Sequence, residues 1–201
     1  MPPQPERKRV WASVEKEPET VISEAFDEAL HRDPHREKNW VALVDGNKTQ
    51  LHLLNQLANK QQISLTIILD IIHVIEYLWK AAFVFHSPTS QQAEDWVSAC
   101  LLRILQGKSS SVAAQMRRRA TLLQLSAKKR SPVDKCANYL LNNRDYLRYH
   151  DYLAEGFPIA TGVIEGACRY LIKDRMDLTG ARWSLQGAEA VLRLRSLCQA
   201  W

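Results

Sequence analysis

Two short apolar runs, each ending in an aspartate and separated by one helical stretch, constrain this chain more than any other feature. Residues 40–44 (WVALV) run into Asp45-Gly46-Asn47, and residues 64–69 (SLTIIL) run into Asp70. Apolar, β-branched runs of this length bounded by turn residues read as buried strands. Between them Leu51, Leu54, Leu57 and Ala58 fall on one helical stripe. Strand, helix, strand over about thirty residues is a βαβ unit, which pairs its strands in parallel within a covered sheet. Both aspartates then stand at the carboxyl ends of strands, where open α/β sheets hold their sites.

The rest of the chain reads as helix. Val21, Ile22, Ala25, Phe26 and Ala29 give residues 18–31 an apolar stripe and an acidic outer face, and Asp33-Pro34 stops the helix. From Ile71 to about Leu153 the spacing predicts only helices, over 73–85, 91–106, 109–125 and 146–154. Another is expected to start at Ser131-Pro132, with Lys128-Lys129-Arg130 as a basic link before it. Residues 161–176 and 184–199 are helical, with a loop at 179–183 and an i,i+4 pair at Glu189 and Arg193.

Composition narrows the class of protein. At 46% apolar and 24% charged residues, the chain has enough hydrophobic surface for a real core. Its charge is uneven: residues 1–99 hold 10 Lys/Arg against 14 Asp/Glu, and residues 100–201 hold 17 against 8. A basic second half suits a polyanion, although a solvated charged surface gives the same signature. Cys100, Cys136, Cys168 and Cys198 form no Cys-x-x-Cys pair, which disfavours structural zinc and fits buried thiols in a reducing cytosol. The apolar stretch near residues 65–85 is interrupted by Asp70, His73, Glu76 and Lys80, so it is not a membrane span. The N-terminus has no apolar segment of the kind a signal peptide needs.

Residues 161–175 (TGVIEGACRYLIKDR) carry the chemistry most plainly. Glu165 lies on a helix whose later turns bear Arg169, Lys173 and Arg175. Two-metal phosphoryl transfer needs carboxylates from separate elements, because hard divalent ions take oxygen ligands. Asp45 and Glu165 fit that requirement as metal ligands. Asp45 also fits a plain Asp-Gly turn, and Glu165 also fits a surface ion pair with Arg169. Asp70 and His73 form an Asp-x-x-His step after the second run, for which a structural hydrogen bond is the favoured reading over metal ligation. Arg169, Lys173, Arg175 and Arg182 are candidates for a phosphate backbone, and Trp183 for stacking on an unpaired base. Trp79, Trp96 and the tyrosines between 139 and 152 read as core.

Longer strings are telling. LVDGNKTQ at 43–50, ILDIIHVIEYLWKAA at 68–82 and FPIATGVIEGACRYLIKDRMDLTGARWSLQGAEAVLRLR at 157–195 closely resemble the ISKra-type insertion-sequence transposases of bacteria, and residues 9–40 look like the same family. That resemblance implies an α/β fold: part of an RNase H-like core at 40–70, a helical insertion at 71–155, and a C-terminal catalytic helix region at 156–201. Residues 1–39 would form an N-terminal linker and helix. It implies a DDE-type transposase of the bacterial cytoplasm, with Mg2+ (or Mn2+) as cofactor, DNA as partner and a homo-oligomeric assembly. By similarity Asp45 would be the second acid, Asp70 and His73 the Asp/Cys-x-x-His signature, and Glu165 the closing acid. The family carries its first acid on an Asp-Gly strand further upstream, so the chain is expected to be a partial transposase, inactive alone. Two competing readings are a complete triad of Asp45, Asp70 and Glu165, and a non-catalytic remnant that binds DNA or oligomerises.

Overall fold

The computed structural model describes residues 8–160 and 183–198. In chain order these form α1 (Pro18–Arg32), β1 (Trp40–Val44), α2 (Lys48–Gln61), β2 (Leu65–Leu69), α3 (Ile71–Phe85), α4 (Gln91–Leu105), α5 (Ser109–Leu122), α6 (Ala127–Asn142), a 3-10 turn (Arg144–Tyr146), α7 (Tyr149–Ala154) and α8 (Leu185–Cys198). The described residues are mainly helical, with one two-stranded parallel sheet, as an α/β reading expects. No described helix is long and apolar enough to cross a membrane.

The residues divide into two compact units. One holds 8–39, 49–64 and 183–198; the other holds Trp40–Lys48 and Leu65–Ala160. Both strands therefore group with α3 to α7, while α2, which links them in sequence, groups with α1 and α8.

In the second unit, β1 and β2 pair in register from Trp40 opposite Leu65 to Val44 opposite Leu69. The ladder runs one step further, since the Asp70 N–H donates to the Val44 carbonyl at 2.7 Å. The backbone groups of Asp70, Ile68 and Thr66 thus face β1, and those of Leu69 and Ile67 face outward. Among the described residues, that outward edge is met by side chains rather than by a third strand. The Tyr149 hydroxyl donates to the Leu69 carbonyl at 2.8 Å, and the Tyr152 hydroxyl shares its proton between the Ile67 carbonyl at 3.4 Å and the Asp145 carbonyl at 3.3 Å. Both tyrosines come from α7 and both are buried. Polar backbone buried without a partner is costly, so these hydroxyls stand where a neighbouring strand would otherwise be needed.

The helices of this unit pack α3 on α4 and α6, and α5 on α4 and α6. Val74, Leu78, Ala81, Ile104, Ala113, Met116, Val133, Ala137 and Leu140 form the buried seam. Cys100 and Cys136 lie in it as apolar fillers; burial pushes the Cys100 thiol up to about 11. Burial and then the Arg119 guanidinium hold His86, which ends α3, below its usual range.

Two expectations change. The α6 helix starts at Ala127, so Lys128, Lys129 and Arg130 are its first turns and not a link, and Pro132 lies inside it. Ser126 is extended and its carbonyl accepts the Arg130 N–H at 3.0 Å, which begins the helix upstream; Arg130 then pairs with Asp134 at 2.8 Å. Pro132 is the sixth residue of the helix, past the positions whose N–H groups are free, so it removes one intrahelical bond. Trp79 and Trp96 are half-buried rather than core, each against a phenylalanine (Phe83 and Phe85).

In the first unit, α1 ends where expected. Asp33 is buried, and its carboxylate accepts the N–H groups of Glu37 and Lys38 at 3.0 and 3.1 Å, turning the chain. Glu189 on α8 is 4% exposed. It accepts the Val14 N–H and the Ser13 hydroxyl, both at 2.9 Å, and pairs with Arg193 at 3.1 Å. The Val14 N–H leads the groups that hold this carboxyl below its usual range, against the opposing pull of burial. The expected i,i+4 pair is thus present, but its acid also clasps the N-terminal segment.

Removing the Tyr149 hydroxyl strands the Leu69 carbonyl. Tyr149→Phe is expected to cost about 1–3 kcal/mol in urea unfolding without changing the slope, and Tyr152→Phe less, given its longer bond. Equal, negligible costs would show that the hydroxyls do not close the edge.

Candidate functional site

Asp45 follows β1 directly and is exposed. Its Oδ1 accepts the Asn47 N–H at 2.8 Å, so it does form the Asp-Gly turn while its carboxylate stays at the surface. Gly46 sits at φ +90°, a region that disfavours side chains. A Cβ there would lie 3.1 Å from Leu69 Cδ1 and 3.2 Å from the Tyr139 ring. The glycine lets the turn press against both.

Asp70 has a different fate. It is 1% exposed, and its carboxylate accepts the Ile72 N–H at 2.9 Å, capping α3. His73 is half-buried, with its Nδ1 at 3.8 Å from Glu76 Oε2.

Asp45 opens onto a cleft of about 530 Å³, within the range of ligand sites. Two helices make its walls with the same spacing. From α3 come His73, Glu76, Tyr77 and Lys80; from α6 come Lys135, Asn138, Tyr139 and Asn142. Each set is an i, i+3, i+4, i+7 stripe, which places four side chains on one face. The two tyrosines, at equivalent positions, stack at 4.1 Å with an interplanar angle of 15°. Tyr139 also donates its hydroxyl to the Asp45 carbonyl at 2.9 Å. Burial first, then Tyr77 and the Asp45 and Asp70 carboxylates, push this hydroxyl above the tyrosine range, so it remains a donor.

The cleft is electrically mixed. Lys48, Lys80 and Lys135 line it with Asp45 and Glu76. Carboxylate and amide oxygens suit a hard divalent ion, and the lysines suit phosphate. Among the described residues, no group of three or more His, Cys, Asp and Glu converges as a metal site.

Of the residues expected from sequence, Asp45 and His73 share this cleft, and Asp70 is buried as a helix cap. Trp183 is exposed, just before α8. Glu165, Arg169, Lys173, Arg175 and Arg182 lie outside the described residues. The chain nevertheless returns toward the strands before reaching them: the Ile71 N–H, at the start of α3, donates to the Ile159 carbonyl at 3.0 Å. Glu165 follows Ile159 by six positions. Sequence reasoning missed Tyr77, Lys80, Lys135, Asn138, Tyr139 and Asn142, although the polar stripe on each helix was there to be read.

Comparison with protein families, with characterised proteins and with solved structures finds no match to this chain.

Because Gly46 combines a positive φ with a close approach, Gly46→Ala is expected to destabilise the protein by about 1–3 kcal/mol, read from thermal or urea melts. A neutral effect would mean that the turn relaxes freely and does not fix Asp45.

Proposed function

We propose that this chain carries an RNase H-like, DDE-type transposase core of the ISKra-type, acting on DNA with Mg2+ (or Mn2+). The single observation that carries the reading is the return of the chain at Ile159 to the start of α3. It brings Ile159 back to the carboxyl end of β2, beside the strand whose end bears Asp45. A parallel strand pair with an exposed acid at its carboxyl end, then a long helical excursion and a return, is the order this reading needs.

The residues present fit the ion. Asp45 offers an exposed carboxylate in a cleft with Glu76, Asn138 and Asn142, all hard oxygen donors. Asp45 and Glu165 are the proposed ligands. A divalent ion bound there supplies charge stabilisation at the transferring phosphate and lowers the pKa of a bound water. The chain's own cations do the rest. Lys48, Lys80 and Lys135 neutralise the nearby backbone, and Arg169, Lys173, Arg175 and Arg182 steady it further along, with Trp183 against an unpaired base. Asp70 and His73 serve the architecture: Asp70 starts α3 and so aims His73 into the cleft wall. A homo-oligomer that holds two DNA ends belongs to the same reading.

Iron-mediated cleavage of the polypeptide tests the proposal. Fe2+ with peroxide and ascorbate should cut the chain near residues 45 and 165, Mg2+ should compete, and Asp45→Asn should abolish both cuts. Cuts elsewhere, or cuts indifferent to Asp45→Asn, would refute the site.

A further inference from the structure

We infer that Tyr139 is a positioning residue for Asp45, so that the helical insertion sets the geometry of the proposed metal-binding acid. The inference rests on the reading of Asp45 as a metal ligand.

Asp45 follows β1 directly and stands three positions before α2 begins. Its side chain closes the adjacent turn through the Asn47 N–H, which fixes the local shape. Direction comes from α6. The Tyr139 hydroxyl reaches the Asp45 main-chain oxygen at 2.9 Å, across 94 positions of sequence. A rotating phenol would hold that oxygen poorly, but this ring cannot swing freely. One face stacks on Tyr77 of α3, and its edge is within 3.2–3.3 Å of where a Cβ on Gly46 would stand. Gly46 is therefore the residue that lets ring and turn meet.

The arrangement works as a three-point fixture. The β1–β2 ladder fixes the backbone before Asp45, through the Asp70 N–H on the Val44 carbonyl. The Asx-type bond fixes the backbone after it. Tyr139 fixes Asp45 itself, from a helix that belongs to the insertion rather than to the strands. Outer partners of a ligand typically matter for affinity because they set the orientation of the donor atoms. The insertion then affects the ion without donating a ligand to it.

Tyr139→Phe is the decisive variant, since it keeps the ring and its stack and deletes only the hydroxyl. Two readouts are taken on the full chain: amide hydrogen exchange at Gly46 and Asn47, and Mn2+ affinity by paramagnetic resonance of the free ion. Faster exchange confined to this turn is expected, with Mn2+ affinity reduced about tenfold or more. Tyr77→Leu, which removes the stack but leaves the hydroxyl, is expected to act in the same direction and more weakly. Unchanged exchange in Tyr139→Phe would overturn the inference, as would faster exchange with unchanged Mn2+ affinity. A wild-type chain that binds no Mn2+ at Asp45 would instead overturn the metal-ligand reading; exchange at Gly46 and Asn47 would still report whether Tyr139 holds the turn.

Discussion

The pairing of tyrosine hydroxyls with strand carbonyls is the interaction on which the second unit depends. A two-stranded parallel sheet is marginal alone, because half of its backbone groups have no strand beside them. Here the helices after β2 supply the missing partners. Tyr149 satisfies Leu69 on the outward edge, Tyr152 shares its proton between Ile67 and Asp145, and Tyr139 satisfies Asp45 just beyond β1. Each hydroxyl rides on a ring that is itself packed, so one residue contributes apolar contact and a directed hydrogen bond. The helical region is thereby fastened to the strands at three backbone oxygens.

That fastening explains why two aspartates with similar surroundings in sequence end so differently. Asp70 is followed at once by α3, so its carboxylate turns inward to the first free N–H of the helix and is buried. Asp45 is followed by Gly46 and Asn47 before α2 begins, so its carboxylate closes a small turn and stays at the surface. One carboxylate is buried as a helix cap and the other stays exposed at the surface. The Asp45 cleft then gains its walls from the matched stripes of α3 and α6, whose lysines and amides surround the carboxylate.

Much of the framework was legible in the residues. The strands announced themselves through short apolar runs ending at Asp45 and Asp70, and α1 through its spacing and the stop at Asp33-Pro34. What was not legible lies in contacts far apart along the chain. Periodicity marked the tyrosines as core, but nothing local says that Tyr149 reaches Leu69 across 80 positions or that Tyr139 reaches Asp45 across 94. The start of α6 was misplaced because Ser131-Pro132 is a good local signal; the real start is set by an upstream carbonyl and an ion pair one turn on. Trp79 and Trp96 were misplaced because helical spacing does not distinguish a core face from its margin.

We propose that Asp45 and Glu165 are ligands of one divalent ion. Anomalous diffraction from crystals grown with Mn2+ measures this most directly. A manganese peak bonded to carboxylate oxygens of both residues is expected, beside the Tyr139-held turn. Two carboxylates on separate faces, or manganese bound at neither, would contradict it.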